Sequence, residues 1–445
     1  MKMNEKNKKR GKIMTILLKN ATLISMSDKR EKLESNMDLI IEEGKIKKIG
    51  KKLSYQADKV INIEGNILMP GLINTHAHVP MSLFRDTLDG YTLQQWLSDK
   101  IWPMEDRLTK QDVYLASYLS YLEMIQTGTT TIHDMYFTTE QIVEAALDTG
   151  IRLQTTRTLM GEGKEGEERI KELEDLIHTY QKEDTITFDV GVHGLYTTNA
   201  QYLEKCKELA EKYQLPIHIH FCENEQEVND IKKIYNMENP VEVLEKYLGN
   251  QRYLLAHVVK VTKQQIEQLA QFRQVSVSHC PISNLKLGCG NAPITTMLEK
   301  GINVSLGTDG QGSGSNLDLF QVMKFTALLQ KGITENPTVL PAYEVLKMAT
   351  INGAKALGLE DNIGSIEEGK EADMIEVTLN SMTVKPTSNL FSDLVYNVSP
   401  EQVTMVMVNG KVLKEEGRLI QGKIEEKIRE GQEIIKRIGK GILED

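Results

Sequence analysis

Cysteine is scarce in this chain, and long apolar runs are missing. Its four cysteines, Cys206, Cys222, Cys280 and Cys289, are spread over 445 residues and form no C-x-x-C pair. So few in so long a chain exclude a disulfide framework, and a reducing, cytoplasmic setting is expected. No segment stays apolar for the ~20 residues that a membrane-spanning helix needs. Positive charge is also in deficit. The formal net charge of −10 disfavours a general nucleic-acid binder, because phosphate contacts require clustered Lys and Arg. The one basic run, "KNKKR" at residues 6–10, is followed by no apolar stretch and reads as a solvated tail rather than a signal peptide. Short repeats and low-complexity stretches are absent.

What is present fits a globular protein: 40% apolar and 26% charged residues, in a length sufficient for one large domain or two ordinary ones. Residues 15–66 read as short strands with Gly and Asn turns ("TILLKNATLIS", "MDLIIEEGKIKKIG", "KVINIEGN"). The same style returns near the C-terminus in "ADMIEVTL" and "TMVMVNGKVL", the latter with an Asn409-Gly410 hairpin signal. The final "EEKIREGQEIIKRIGKGILED" has helical spacing. Between these ends, eight strand-like runs alternate with helical segments such as "NAQYLEKCKELAEKYQ" and "TKQQIEQLAQF". The runs are "NILMPGLINTHAH", "GTTTIHDM", "RLQTTRTLM", "TFDVGVHGLY", "PIHIHFCE", "RYLLAHVV", "VSVSHCP" and "INVSLGTDG". Strand then helix, repeated eight times, predicts an α/β chain with a (β/α)8 barrel over residues 67–361. The flanking β-rich segments, 1–66 and 362–445, are expected to pair into one small domain beside it.

Eight of the nine histidines lie in or at the ends of those runs: His76, His78, His133, His193, His218, His220, His257 and His279. A barrel of this kind builds its active site at the C-terminal strand ends. The polar residues there are His76, His78, Asp134, Arg157, His193, His220, Glu223, His257, His279 and Asp309. A strand puts residues i and i+2 on one face, so His76 and His78 can point into one cavity. Imidazole suits zinc or iron. His220 and Asp309, each ending another run, could complete the ligand set of a catalytic metal. Glu223, three residues after His220, could carry a proton between an activated water and a substrate; the plainer reading is a Glu favoured at a helix N-terminus. His218 lies deeper in its strand and reads as a packed core histidine, while His133 and His279 fit either a structural or a supporting role. "GTDGQGSGSN" matches neither G-x-G-x-x-G nor G-K-[ST], and Asp309 at its mouth would repel phosphate. It reads as a wall of the metal pocket.

With "PGLINTHAH", "IHIHFCENE", "HCPISNLKLGCGNAPI" and "NVSLGTDG" in this order, the chain resembles the amidohydrolase superfamily along nearly its whole length. Through "LQQWLSDKIWPMEDRLT" and "RTLM…EER" it looks more narrowly like the 5′-methylthioadenosine/S-adenosylhomocysteine deaminases. Triazine chlorohydrolases and guanine deaminases share much of this framework. The resemblance implies a β-sandwich built from both chain ends beside the barrel. It implies one divalent metal, zinc with iron as the alternative, held by His76, His78, His220 and Asp309. Two-metal relatives carry a lysine at the end of the fourth strand, and "TFDVGVHGLY" has none. Asp309 and His257 would orient the attacking water and Glu223 would move the proton. Trp96 would border the purine and Glu105 would meet the ribose hydroxyls. His193 and Ser313 would face the purine and its surroundings, and Arg157 and Arg169 the tail at the 5′ position. Leu195, where relatives often carry proline, and the "GQGSGSNLD" loop depart from the pattern. The implied activity is hydrolytic deamination of an adenine nucleoside by a homo-oligomer. Its rivals are hydrolysis of another heterocycle, such as guanine or a triazine, and a non-catalytic scaffold. A scaffold could lose ligands freely, yet the whole set and Glu223 are present. The zinc deaminases with an H-x-E and P-C-x-x-C signature are a different fold, and that signature is missing here.

Overall fold

The computed structural model describes residues 14–87 and 90–443; the basic run at 6–10 lies outside them. Among the described residues the strands form three sheets.

The first sheet joins the two chain ends. It has nine strands, drawn from Ile16–Leu23 to Ile67–Pro70 on one side and from Met374–Val377 to Arg418–Leu419 on the other. The junction is antiparallel, with Met69 opposite Ile375. The Asn-Gly signal is a tight hairpin between Val403–Val408 and Lys411–Glu415, where Asn409 (φ 47°) and Gly410 (φ 72°) both take the positive φ that a type I′ turn demands. One face of this sheet buries a separate apolar cluster that includes Leu18, Leu39, Ile41, Met374 and Met407.

The other two sheets are parallel. One holds Leu72–Ala77, Thr129–Tyr136, Arg152–Arg157 and Ile186–Phe188. The other holds Val190–Gly194, Ile217–Phe221, Arg252–His257, Gln274–His279 and Asn303–Leu306. Two expected runs therefore divide. "NILMPGLINTHAH" gives Ile67–Pro70 to the nine-stranded sheet and Leu72–Ala77 to the parallel one, turning at Gly71, where a Cβ would lie 2.1 Å from Thr130. "TFDVGVHGLY" breaks at Asp189. Hydrogen bonds cross both seams between the parallel sheets: Leu159 N to Gly191 O at 2.8 Å, and Asp309 N to His76 O at 3.0 Å.

Helices follow the strands for local reasons. Ala200–Tyr213 is capped by Asn199, whose side chain accepts the Tyr202 amide at 2.9 Å, and it buries Tyr202, Leu203, Cys206, Leu209 and Ala210 on one stripe. The terminal helix spans Ile424–Ile438. A buried ion pair, Arg152 Nε to Asp373 Oδ2 at 2.8 Å, ties a parallel strand to the nine-stranded sheet. All four cysteines are buried and free. No helix among the described residues is long and apolar enough to cross a membrane.

Candidate active site

The strand ends converge, and three of them turn sharply there. Cys222 (φ 52°), His257 (φ 72°) and Asp309 (φ 61°) hold the left-handed backbone that non-glycine residues rarely adopt. Each bend aims a polar side chain into the space above the strands.

Four side chains meet there. His78 Nε2 lies 3.3 Å from Asp309 Oδ1 and 3.3 Å from His220 Nε2, and His76 Nε2 lies 3.6 Å from Asp309 Oδ1. The outer nitrogens are engaged elsewhere. His78 Nδ1 donates to Met135 O at 2.6 Å and His220 Nδ1 to His193 O at 2.5 Å, while His76 Nδ1 sits 3.1 Å from His218 Nε2. The carbonyl acceptors fix Nδ1–H on His78 and His220 and so turn each Nε2 inward, and the His76–His218 contact is compatible with the same tautomer for His76. Asp309 Oδ2 accepts from Ser283 Oγ at 2.6 Å and Ser313 Oγ at 2.9 Å, while Oδ1 accepts the Gly310 amide at 2.8 Å and faces the histidines. His76 Nε2 is buried with no hydrogen-bond partner among the described residues. An orphaned imidazole nitrogen facing two others and a carboxylate suits a divalent metal, so the residues fit one.

Electrostatics separate the groups. Burial and neighbouring imidazoles hold His76 and His220 well below the usual histidine range, in the neutral form a cation needs. Burial pushes the Asp309 carboxyl up, but the His78 hydrogen bond and the surrounding imidazoles overcome it and keep it ionised. His78 runs the other way: burial works against its proton, yet Asp309 draws it up to about 9. A cation in the same place would substitute for that proton. Burial raises the Glu223 carboxyl above its ordinary value. Glu223 Oε1 lies 3.8 Å from His257 Nδ1, and its backbone amide donates to Glu227 Oε2 at 2.7 Å.

These groups floor a partly open cleft. His78, His193, His220, Glu223, His257, Asp309 and Ser313 line it, together with Trp96 and Glu105. His76 lies beneath, fully buried. Trp96 is held by Nε1–H donating to Thr87 Oγ1 at 3.0 Å. Glu105 accepts from the Tyr136 hydroxyl, and burial lifts its carboxyl to about 7. Burial, with lesser contributions from His78 and Arg169, lowers His193 to about 4.

Arg157 and Arg169 do not line the cleft. Arg157 pairs with Glu172 at 2.6 Å and lies over the Phe137 ring, 5.7 Å from its centroid, one layer behind the wall. Arg169 pairs with Glu165 and donates to Met160 O at 2.5 Å. Asp134 Oδ1 accepts the Val79 amide at 2.8 Å and so pins the turn after His78. His133 bonds to Asp189, and His279 is buried with neither ring nitrogen partnered among the described residues. Leu195 is buried and begins a short 3-10 turn, Leu195–Thr197.

Sequence reasoning missed several wall residues, among them Met81, Leu93, Leu97, Trp102, Tyr136, Phe137, Tyr196 and Leu287. It also missed Asn284, which accepts from His257 Nδ1 at 2.9 Å, and Glu227, which holds the bend at Cys222 through the amides of Cys222 (2.8 Å) and Glu223. Ser283, Asn284 and Leu287 lie inside "HCPISNLKLGCGNAPI", where a cluster of polar residues just past a strand end was the available signal.

Comparison with known proteins places the chain among its relatives. The chain is 40% identical over 409 residues to a 5-methylthioadenosine/S-adenosylhomocysteine deaminase of Syntrophomonas wolfei, covering 90% of this chain and 94% of that one. It is 42% identical over 411 residues to a 5′-deoxyadenosine deaminase of Methanosarcina acetivorans, covering 91% and 94%. Among solved structures, an adenosine deaminase from Xanthomonas campestris with bound zinc superposes with a TM-score of 0.91 at 29% identity, covering 96% of this chain and 98% of that one. A zinc complex of an atrazine chlorohydrolase from Arthrobacter aurescens gives 0.88 at 26%, covering 94% and 100%. The amidohydrolase family pattern matches residues 67–413, and the chain belongs to that family.

Proposed function

We propose that this chain is a hydrolase that deaminates the adenine ring of 5′-methylthioadenosine, S-adenosylhomocysteine or a related adenosine, releasing ammonia and an inosine-type product. One observation carries the reading: a buried Glu223 stands beside a three-histidine, one-aspartate cage at the floor of a single cleft. Relatives at 40–42% identity whose names specify adenine nucleosides support the substrate class.

His76, His78, His220 and Asp309 would hold one divalent metal, zinc by the likeness to zinc-bound neighbours and Fe2+ as the alternative. Such an ion lowers the pKa of water toward neutrality. The chain's own groups then act on the ring. His257 and Asp309 orient the attacking water toward the carbon bearing the amino group. Glu223, kept protonatable by burial, takes one proton from the attacking water and delivers it to the adjacent ring nitrogen as the water oxygen adds. The carbon–nitrogen bond to the amino group breaks, the second water proton passes to the leaving nitrogen, and ammonia departs. Trp96 borders the base, Glu105 meets the ribose hydroxyls, and His193 and Ser313 flank the purine. Arg157 and Arg169 would reach a tail carboxylate by exchanging their glutamate partners for it.

The two parallel sheets with their bonded seams are read as one closed eight-fold barrel, and the nine-stranded sheet with its own apolar core as a sandwich folded on itself. The corresponding boundaries are 1–66, 67–361 and 362–445. A homo-oligomer is proposed because Phe325, Leu328 and Ile333 are exposed on the helix Leu319–Thr334. Free buried cysteines support a cytoplasmic setting.

A nucleoside panel followed by ultraviolet spectra tests the function, since conversion of adenine to hypoxanthine changes the chromophore. Turnover of guanine or a chlorotriazine with none of any adenosine would overturn it.

A further inference from the structure

Beneath the cage lie three polar residues that the proposed chemistry does not use. Asp189, His133 and His218 are each 0–1% exposed, the two histidines on strands of the two parallel sheets and the aspartate between two strands. Burying three such groups is costly unless they satisfy one another. Asp189 sits at the break in the fourth run, between Ile186–Phe188 and Val190–Gly194, and its Oδ2 bonds His133 Nε2. The His133 ring meets His218 edge-on, centroids 4.0 Å apart. His218 Nε2 lies 3.1 Å from His76 Nδ1.

Hydrogen bonds assign the tautomers at both ends of this column. His76 keeps its Nε2 lone pair for the cage, so its Nδ1–H donates to His218 Nε2. His218 then carries its proton on Nδ1. At the other end, Asp189 accepts from His133 Nε2–H, which leaves His133 Nδ1 as an acceptor. The two remaining nitrogens, His218 Nδ1–H and His133 Nδ1, are buried with no hydrogen-bond partner among the described residues, so the two rings meet through an edge-on packing contact and not a hydrogen bond.

We infer that Asp189, His133 and His218 form a positioning column that fixes the ring orientation and tautomer of His76, and thereby sets how tightly the cage holds its metal. The inference rests on the cage reading. It makes His218 more than core packing and gives His133 a supporting role. A carboxylate behind a metal-binding histidine is a general device for raising ligand basicity, and removing it typically costs about 10–100-fold in metal affinity or activity. Here the carboxylate would act through two intervening imidazoles.

The test is equilibrium transfer of zinc from the loaded protein to a chromophoric chelator, with the melting temperature and circular dichroism of each variant recorded alongside. Asp189→Asn should hold zinc about tenfold or more weakly while keeping its fold. His133→Gln can still donate to Asp189; His133→Leu cannot. His133→Gln should therefore retain more zinc affinity than His133→Leu. Unchanged zinc affinity in folded Asp189→Asn would overturn the inference. If that variant does not fold, equal affinities in the two His133 variants would overturn it. A parent protein that takes up no zinc would overturn the cage reading itself.

Discussion

Nδ1 of His257 donates to Asn284 Oδ1 at 2.9 Å, while Glu223 Oε1 stands 3.8 Å away, beyond hydrogen-bond reach. The amide oxygen accepts this N–H, so the nearby carboxylate holds no hydrogen bond to His257. That leaves Glu223 free to exchange a proton with a ligand. Glu223→Gln keeps the shape and loses the exchangeable proton. Turnover should fall by about 10²–10⁴, with metal content unchanged by elemental analysis. A variant within a fewfold of the parent would remove Glu223 from the chemistry.

The cage predicts a different signature. His220→Ala deletes the nitrogen 3.3 Å from His78 Nε2. Metal content and deamination should be lost together, because a catalytic site has few ligands to spare. Full occupancy with normal turnover would break the ligand assignment.

Arg169 offers a test of substrate range. Its guanidinium is engaged with Glu165 and the Met160 carbonyl, behind the cleft wall. If it turns to bind the carboxylate of S-adenosylhomocysteine, Arg169→Ala should lower kcat/KM for that substrate by roughly ten- to a hundred-fold, about 1.5–3 kcal/mol. Turnover of 5′-methylthioadenosine, which has no such carboxylate, should barely change. Equal losses on both would mark Arg169 as a support for the pocket, and no loss on either would leave it a surface ion pair worth about 1 kcal/mol or less.

Glu105 predicts a pH dependence of stability. Its carboxyl rises from 4.5 to about 7 on folding, chiefly through burial. The folded state therefore binds more protons than the unfolded one between those values, and this group's contribution is lost as pH rises through that window. The effect is at most about 3 kcal/mol. Glu105→Gln, which can still accept from Tyr136, should show a smaller fall in Tm between pH 4.5 and 7. Glu227, also raised to about 7, and Asp134, raised to about 6, keep part of the fall in the variant. An identical pH profile would show that Glu105 is already ionised at the low end.

What could be read from the sequence was what depends on local spacing. His76 and His78 announce a shared face by their two-residue interval, and Asn409-Gly410 announces its hairpin by the φ values it tolerates. What could not be read depends on which strand lies beside which. Nothing local distinguishes Ile67–Pro70, which leaves for another sheet, from Leu72–Ala77 directly after it. Nothing near Glu105 in the chain points to Tyr136, and nothing near Asp189 points to His133. The glutamate partner of Arg169 shows the converse. Glu165 was visible four residues away, but whether the guanidinium faces the cleft or its own helix is decided by packing, and nothing local pointed from Arg157 to Glu172, fifteen residues on.

The junction of the two chain ends has a consequence for synthesis. Ile67–Pro70 leaves the ribosome early, and its antiparallel partner, Met374–Val377, leaves only after both parallel sheets have been made. At about 5–20 residues per second the delay is roughly 15–60 s. Throughout it, the nascent chain carries an apolar strand edge with unmet backbone hydrogen bonds, the kind of surface that recruits foreign strands. A ribosome stalled before residue 374 would thus present an aggregation-prone intermediate, and a holdase chaperone binding near residues 67–70 would raise the yield of native protein without touching the finished enzyme.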